Sequence, residues 1–152
     1  MKTTYHYSRR QFLGMASSTA FSFQFLPSRV WGANERVNVA GIGAGGKGAS
    51  DVAGADKHGA NIVALCDVDK KRAGGTFKKF PKAKQYTDFR VMLEKQKDID
   101  AVTVSTPDHV HAFAAMAAMQ LGMHVYCQKP LTHSIYEARM LTETAAEHNL
   151  IT

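Results

Sequence analysis

The hexapeptide Gly41-Ile42-Gly43-Ala44-Gly45-Gly46 limits most severely what this chain can fold into. The run before it, Val37-Asn38-Val39-Ala40-Gly41-Ile42, reads as a strand, and Ala44 to about Lys57 reads as a helix. A strand that enters a helix through G-x-G-x-x-G leaves few architectures open. Gly41 permits the tight turn, Gly43 lets the backbone approach a pyrophosphate, and Gly46 lets the helix pack closely on the strand. The free N–H groups of the helix N-terminus then face phosphate oxygens, which puts Gly41, Gly43, Ala44, Gly45 and Gly46 in a nucleotide site. Lys47 is not a P-loop lysine, because Gly48 follows it where Ser or Thr is needed.

The same alternation continues along the chain. Asn61–Cys66, Lys84–Tyr86, Ala101–Ser105 and Met123–Cys127 read as strands. Between them lie helical segments: Asp69 to about Lys79, a segment capped by Asp88, a segment from Asp108 to about Leu121, and Ile135 to about His148 behind a Ser134/Glu137 capping box. The fourth strand is apolar with little alternation, as in a strand buried on both faces. These signals predict the α/β class, with a Rossmann-type doubly wound parallel sheet of order 3-2-1-4-5. Leu150-Ile151-Thr152 reads as the start of a sixth strand, so the expected fold is cut short there.

Candidate site residues gather at the carboxyl ends of these strands, where open α/β sheets bind ligands. Asp67 ends the second strand, 21 positions after Gly46. A carboxylate about 20 residues beyond the glycines accepts from the adenosine ribose hydroxyls and repels a 2′-phosphate, which favours NAD. Lys70, Lys71 and Arg72 follow closely and leave NADP open. Asp69 reads as the N-cap of the next helix. Ser105-Thr106-Pro107 ends the fourth strand, followed by His109 and His111. On a helix these histidines project about 200° apart, a poor arrangement for one metal ion, and no third ligand is evident. No metal is expected. Gln128-Lys129-Pro130 ends the fifth strand, where the Lys129 ammonium can donate to a substrate hydroxyl or carbonyl.

Charge and cysteine usage bound the remaining classes. The formal charge is +6, but Lys2, Arg9, Arg10 and Arg29 precede Asn34 and no acid does. From Asn34 onward, 15 basic residues face 13 acids. Without a basic stripe interleaved with aromatics, nucleic acid is not an expected partner. Ser8-Arg9-Arg10-Gln11-Phe12-Leu13 precedes a short, diluted apolar stretch and resembles a twin-arginine export signal. Residues 1–33 are therefore read as a signal peptide and 34–152 as the folded domain, with a periplasmic destination and membrane contact only during export. Cys66 and Cys127 fall on strands separated by two others in the expected order. Three steps of about 4.8 Å exceed the roughly 7 Å limit for bridged Cα atoms, so no disulfide joins them.

Together, the glycine hexapeptide, Cys66-Asp67-Val68-Asp69, Thr106-Pro107-Asp108-His109-Val110-His111 and Gly122-Met123-His124-Val125-Tyr126-Cys127-Gln128-Lys129-Pro130-Leu131 resemble the Gfo/Idh/MocA oxidoreductases. The likeness covers Glu35 to Thr152. It implies a Rossmann domain followed by a second, mostly antiparallel α/β domain, in a homo-oligomeric enzyme that exchanges hydride between NAD(P) and a sugar or cyclitol carbon. It implies that Lys129 is the active-site lysine, that Pro130 is often cis, and that the acid/base residue lies in the second domain. The chain alone is then expected to bind nucleotide without turnover. Gln128 stands where the family usually has glutamate; the amide keeps the hydrogen bonding to a nicotinamide ribose and loses the charge. Two other functions stay open: a binding or regulatory module without hydride transfer, and a relative that recycles its nucleotide during glycoside cleavage.

Overall fold

The computed structural model describes residues 36–152; the leader assigned to residues 1–33 lies outside the described residues. Five strands form one parallel sheet in the order β3-β2-β1-β4-β5, as the alternation of strand and helix signals requires. They are β1 (Asn38–Ile42), β2 (Asn61–Cys66), β3 (Lys84–Tyr86), β4 (Ala101–Val104) and β5 (His124–Cys127). The helices are α1 (Lys47–Lys57), α2 (Lys70–Lys79), α3 (Phe89–Lys95), α4 (His111–Met119) and α5 (Ile135–Glu147). Parallel neighbours need crossover connections, and each of these is filled by a helix.

The helices divide between the two faces and create two apolar clusters. On one face, Ile42, Val102, Val104 and Val125 pack with Met92 and Leu93 of α3 and with Ala114, Ala115 and Met119 of α4. On the other, Val39, Ile62 and Leu65 pack with Val52 of α1 and with Ala73 and Phe77 of α2. The strands β1, β2 and β4 are buried along most of their length, which explains their unbroken apolar runs.

Local signals set most helix ends. The Asp69 carboxylate accepts from the N–H groups of Lys71 and Arg72, and Asp88 accepts from that of Arg90. Ser134 and Glu137 form the reciprocal capping box. Two expected starts move. The first helix begins at Lys47 rather than Ala44, because Gly43 and Gly46 take positive φ and keep the intervening backbone in a turn. The helix after β4 begins at His111 rather than at Asp108. Pro107 lies in extended backbone, Asp108–Val110 make a 3₁₀ turn, and Asp108 provides no side-chain cap. At the far edge, Leu150 to Thr152 form no strand, yet the Val125 N–H donates to the Ile151 carbonyl at 3.1 Å. Cys66 and Cys127 are free thiols on β2 and β5, with β1 and β4 between them.

Candidate functional site

A cleft of about 620 Å³ opens at the carboxyl ends of β1, β2 and β4, the place where the strand order reverses about β1. Its wall includes Gly43, Gly45, Asp67, Ser105, Thr106, Pro107 and His109, seven residues drawn from three separate stretches of sequence. Gly43 makes this convergence possible. Its φ is 84°, and a Cβ there would sit 2.6 Å from the Ser105 carbonyl oxygen. Only glycine lets the turn after β1 lie against the end of β4. Gly41 lies beneath the turn, where a Cβ would meet Val52 at 2.7 Å.

The third glycine role falls on a different residue from the one expected. Gly46 has φ 55° and faces the Arg72 guanidinium, the far end of a flexible side chain. Gly48, inside α1, is the residue pressed onto the turn: a Cβ there would overlap the Gly43 carbonyl oxygen. Close helix–strand packing therefore rests on Gly48, while Gly46 is the N-cap residue of α1. A contact between positions 43 and 48 across a turn is invisible to a spacing rule that stops at the hexapeptide.

Asp67 anchors the second side of the cleft. One carboxylate oxygen accepts from the Gly45 N–H at 2.8 Å, and the other accepts from the Asp69 N–H at 2.8 Å. Each oxygen retains acceptor capacity for a further donor such as a ribose hydroxyl. Arg72, read from sequence with Lys70 and Lys71 as a residue that leaves NADP open, borders the same end of the cleft; Val68, Thr87 and Phe89 line it too and carried no site role in the sequence. Ser105 is less available than its position suggests. Its hydroxyl donates to Asp51 at 2.7 Å, and Asp51 also forms a 2.6 Å salt bridge with Lys47. Asp51 lacked any sequence signal for this role, because it meets Ser105 only after the crossover is folded.

The β5 end and the two histidines divide differently. His109 lines the cleft; His111 does not, and it is 1% exposed. Its Nδ1 lies 2.6 Å from the Pro130 carbonyl oxygen and its Nε2 2.8 Å from that of Thr106. Both ring nitrogens are thus engaged by backbone, which removes His111 from direct contact with a cofactor or metal. Gln128, Lys129 and Pro130 follow β5 beside the cleft, outside its wall, and the Lys129–Pro130 bond is cis. Lys129 is exposed and the Gln128 amide donates to the Tyr126 hydroxyl at 3.4 Å. Burial pushes the Cys66 thiol up to about 12 and the Cys127 thiol up to about 11, so neither is a nucleophile at neutral pH.

The site suits a dinucleotide by two independent observations. The Gly43 position is a cradle that any Cβ would fill. The Thr106 hydroxyl oxygen is buried in the cleft wall without a hydrogen-bond partner among the described residues. A ligand with polar groups at that strand end satisfies it.

Comparison with known proteins agrees. Residues 36–152 match the oxidoreductase family with NAD-binding Rossmann fold. The chain is 30% identical over 118 residues to inositol 2-dehydrogenase of Rubrobacter xylanophilus, covering 76% of this chain and 33% of that protein. It is 29% identical over 96 residues to 2,7-anhydro-N-acetylneuraminate hydratase of Mediterraneibacter gnavus, covering 63% and 25%. Among solved structures, an NAD binding oxidoreductase from Klebsiella pneumoniae superposes with TM-score 0.66 at 28% identity, covering 76% of this chain and 33% of that one. The chain thus spans about a quarter to a third of the relatives it matches. With its parallel sheet, its glycine turn and this match across the whole described region, the chain belongs to the NAD-binding Rossmann oxidoreductase family.

Proposed function

We propose that this chain forms the cofactor half of an exported dehydrogenase acting on a sugar or cyclitol, with a second domain closing over the cleft to supply the substrate pocket and the acid/base residue. The observation that carries this reading is the cleft that joins Asp67, the Gly43 turn and Thr106 beside a strand end bearing Lys129. The similarity to inositol 2-dehydrogenase supports a polyol substrate.

In this reading NAD, when bound, accepts or returns a hydride at its nicotinamide ring. Asp67 accepts from the adenosine ribose hydroxyls and disfavours a 2′-phosphate, with Arg72 nearby as the residue that leaves NADP open. The N–H groups of Gly43, Ala44 and Gly45 already donate to Cys66 and Asp67, so the phosphates fall to the Gly46 and Lys47 N–H groups at the start of α1 and to the Thr106 hydroxyl. Lys129 holds its ammonium at the substrate oxygen, where positive charge helps an alcohol give up its proton and polarises the carbonyl in reverse. Arginine is a poor replacement, since its larger fork does not release a proton.

The test is turnover of the full-length protein with NAD and a panel of cyclitols and sugars, followed by nicotinamide absorbance. Lys129→Ala should lower the rate about 10²-fold or more and leave NAD affinity nearly unchanged. A variant that loses NAD yet keeps its rate at saturating cofactor makes Lys129 a nucleotide ligand instead. The similarity to a hydratase favours one second reading, in which hydride returns to the substrate and no net redox change results. Product formation without accumulation of reduced nucleotide selects it. Export is tested by fusing residues 1–33 to a folded reporter. Replacing Arg9 and Arg10 by lysine should hold the reporter in the cytoplasm.

A further inference from the structure

Outside the cofactor cleft, His111 is a buried imidazole that the proposed chemistry does not use. It is the first residue of α4 and is 1% exposed. One ring edge meets the carbonyl of Thr106, at the end of β4. The other meets the carbonyl of Pro130, in the turn after β5. The ring therefore bridges two strand ends that belong to separate crossovers. The Pro130 contact is the shorter, 2.6 Å against 2.8 Å. A neutral imidazole carries one N–H. The Nδ1–H tautomer makes the Pro130 contact a donated bond, and both contacts are donated only when both nitrogens carry protons.

Lys129 directly precedes Pro130 and is exposed. Its four-carbon stem is flexible, so the place from which it leaves the backbone decides where the ammonium can reach. Whatever fixes the Pro130 peptide fixes that starting point. We propose that His111 is a positioning residue for Lys129, bracing the turn after β5 against the start of α4 through the Pro130 carbonyl. The proposal rests on the reading of Lys129 as the group that meets the substrate oxygen. It also explains why a histidine opens an otherwise apolar stretch, His111-Ala112-Phe113-Ala114-Ala115-Met116, of which Ala114, Ala115 and Met116 pack in the core. The loop after β5 lacks an apolar anchor of its own, since Lys129, Pro130 and Leu131 are all exposed.

Two substitutions separate the bonds. An asparagine amide nitrogen occupies the place of Nδ1, whereas a glutamine amide nitrogen reaches the place of Nε2. His111→Asn therefore keeps a donor for Pro130, and His111→Gln keeps one for Thr106. In the full-length enzyme, His111→Ala and His111→Gln should lower kcat by up to about 10²-fold, the effect of a misplacement near 1 Å. KM for NAD should stay nearly constant, because His111 is outside the cleft wall. His111→Asn should restore most of kcat. Long-range ¹H–¹⁵N spectra of the histidine-labelled protein provide a readout independent of turnover, with Nδ1 expected to be protonated. A ring protonated at Nε2 alone overturns the brace. So does a kcat that falls equally in the Asn and Gln variants, or one that falls in neither. If Lys129→Ala keeps full rate, the reading of Lys129 fails, whereas the spectrum reports separately on the brace.

Discussion

Substituting Gly48 by alanine tests the packing of α1 on the turn after β1. The added methyl would overlap the Gly43 carbonyl oxygen, a backbone atom that cannot swing aside. Overpacking a tight site costs about 1–3 kcal/mol, and direct overlap with backbone belongs at the upper end. Alanine returns about 1 kcal/mol through its better helix propensity. The net loss is about 2 kcal/mol, or roughly 8 °C in Tm at about 4 °C per kcal/mol for a domain of this size. The relief of the overlap pushes the turn off the end of β4, so NAD affinity should fall at least about tenfold, or 1.4 kcal/mol. Gly74→Ala is the matched control. It lies within α2, where a Cβ meets nothing within 4 Å, so alanine should gain about 1 kcal/mol. Thermal melts and calorimetric NAD titrations of both variants measure these shifts. If Gly48→Ala melts above wild type, as the control should, and binds NAD equally well, the packing argument is wrong.

Two further substitutions probe the site and its thiols. Asp67→Ala removes a charged acceptor worth about 1.5–3 kcal/mol; titrations of both nucleotides should find weaker NAD binding and a narrower gap to NADP. Cys66 and Cys127 should resist alkylation in the native protein at pH 7 and react fully, as two thiols, once it is unfolded. Their folded pKa values are raised, so the unfolded chain releases these protons first. Stability should therefore be fully present below about pH 9 and should decline as pH rises toward the folded values of about 12 and about 11. Replacing Cys66 by alanine removes its share of that alkaline decline.

The parts of the fold that rest on near neighbours are legible in the chain. Asp69 and the Ser134/Glu137 pair bond to backbone within four residues, so their spacing alone identifies them. The strand order follows from right-handed crossovers, and with it the separation of the two cysteines. Asp67 is placed at the cleft by its distance from the glycines. What escapes the sequence is set by atoms that meet only after folding. Gly48 against Gly43, Ser105 with Asp51, and His111 between Thr106 and Pro130 all cross an element or a loop. Asp108 shows the converse error. Its residue type suits an N-cap, but the preceding Pro107 directs the chain into a 3₁₀ turn first.

The position of β1 has a consequence for how the domain holds together. Although earliest of the strands, it is the seam between a block ending at Tyr86 and a block beginning at Ala101. The Ser105 N–H donates to the Ile42 carbonyl at 2.8 Å across that seam, directly under the Gly43 turn. A dinucleotide seated in the cleft, whose wall draws on both blocks, would act as a rivet. At a hundredfold excess over Kd it adds about 2.7 kcal/mol against any opening that separates them. Amide exchange at Ser105 should slow about 100-fold at a hundredfold excess over Kd, while amides of the edge strand β3 that open locally keep their rates. A bound cofactor would thereby add a second fastening to a seam that the β1–β4 ladder alone otherwise holds.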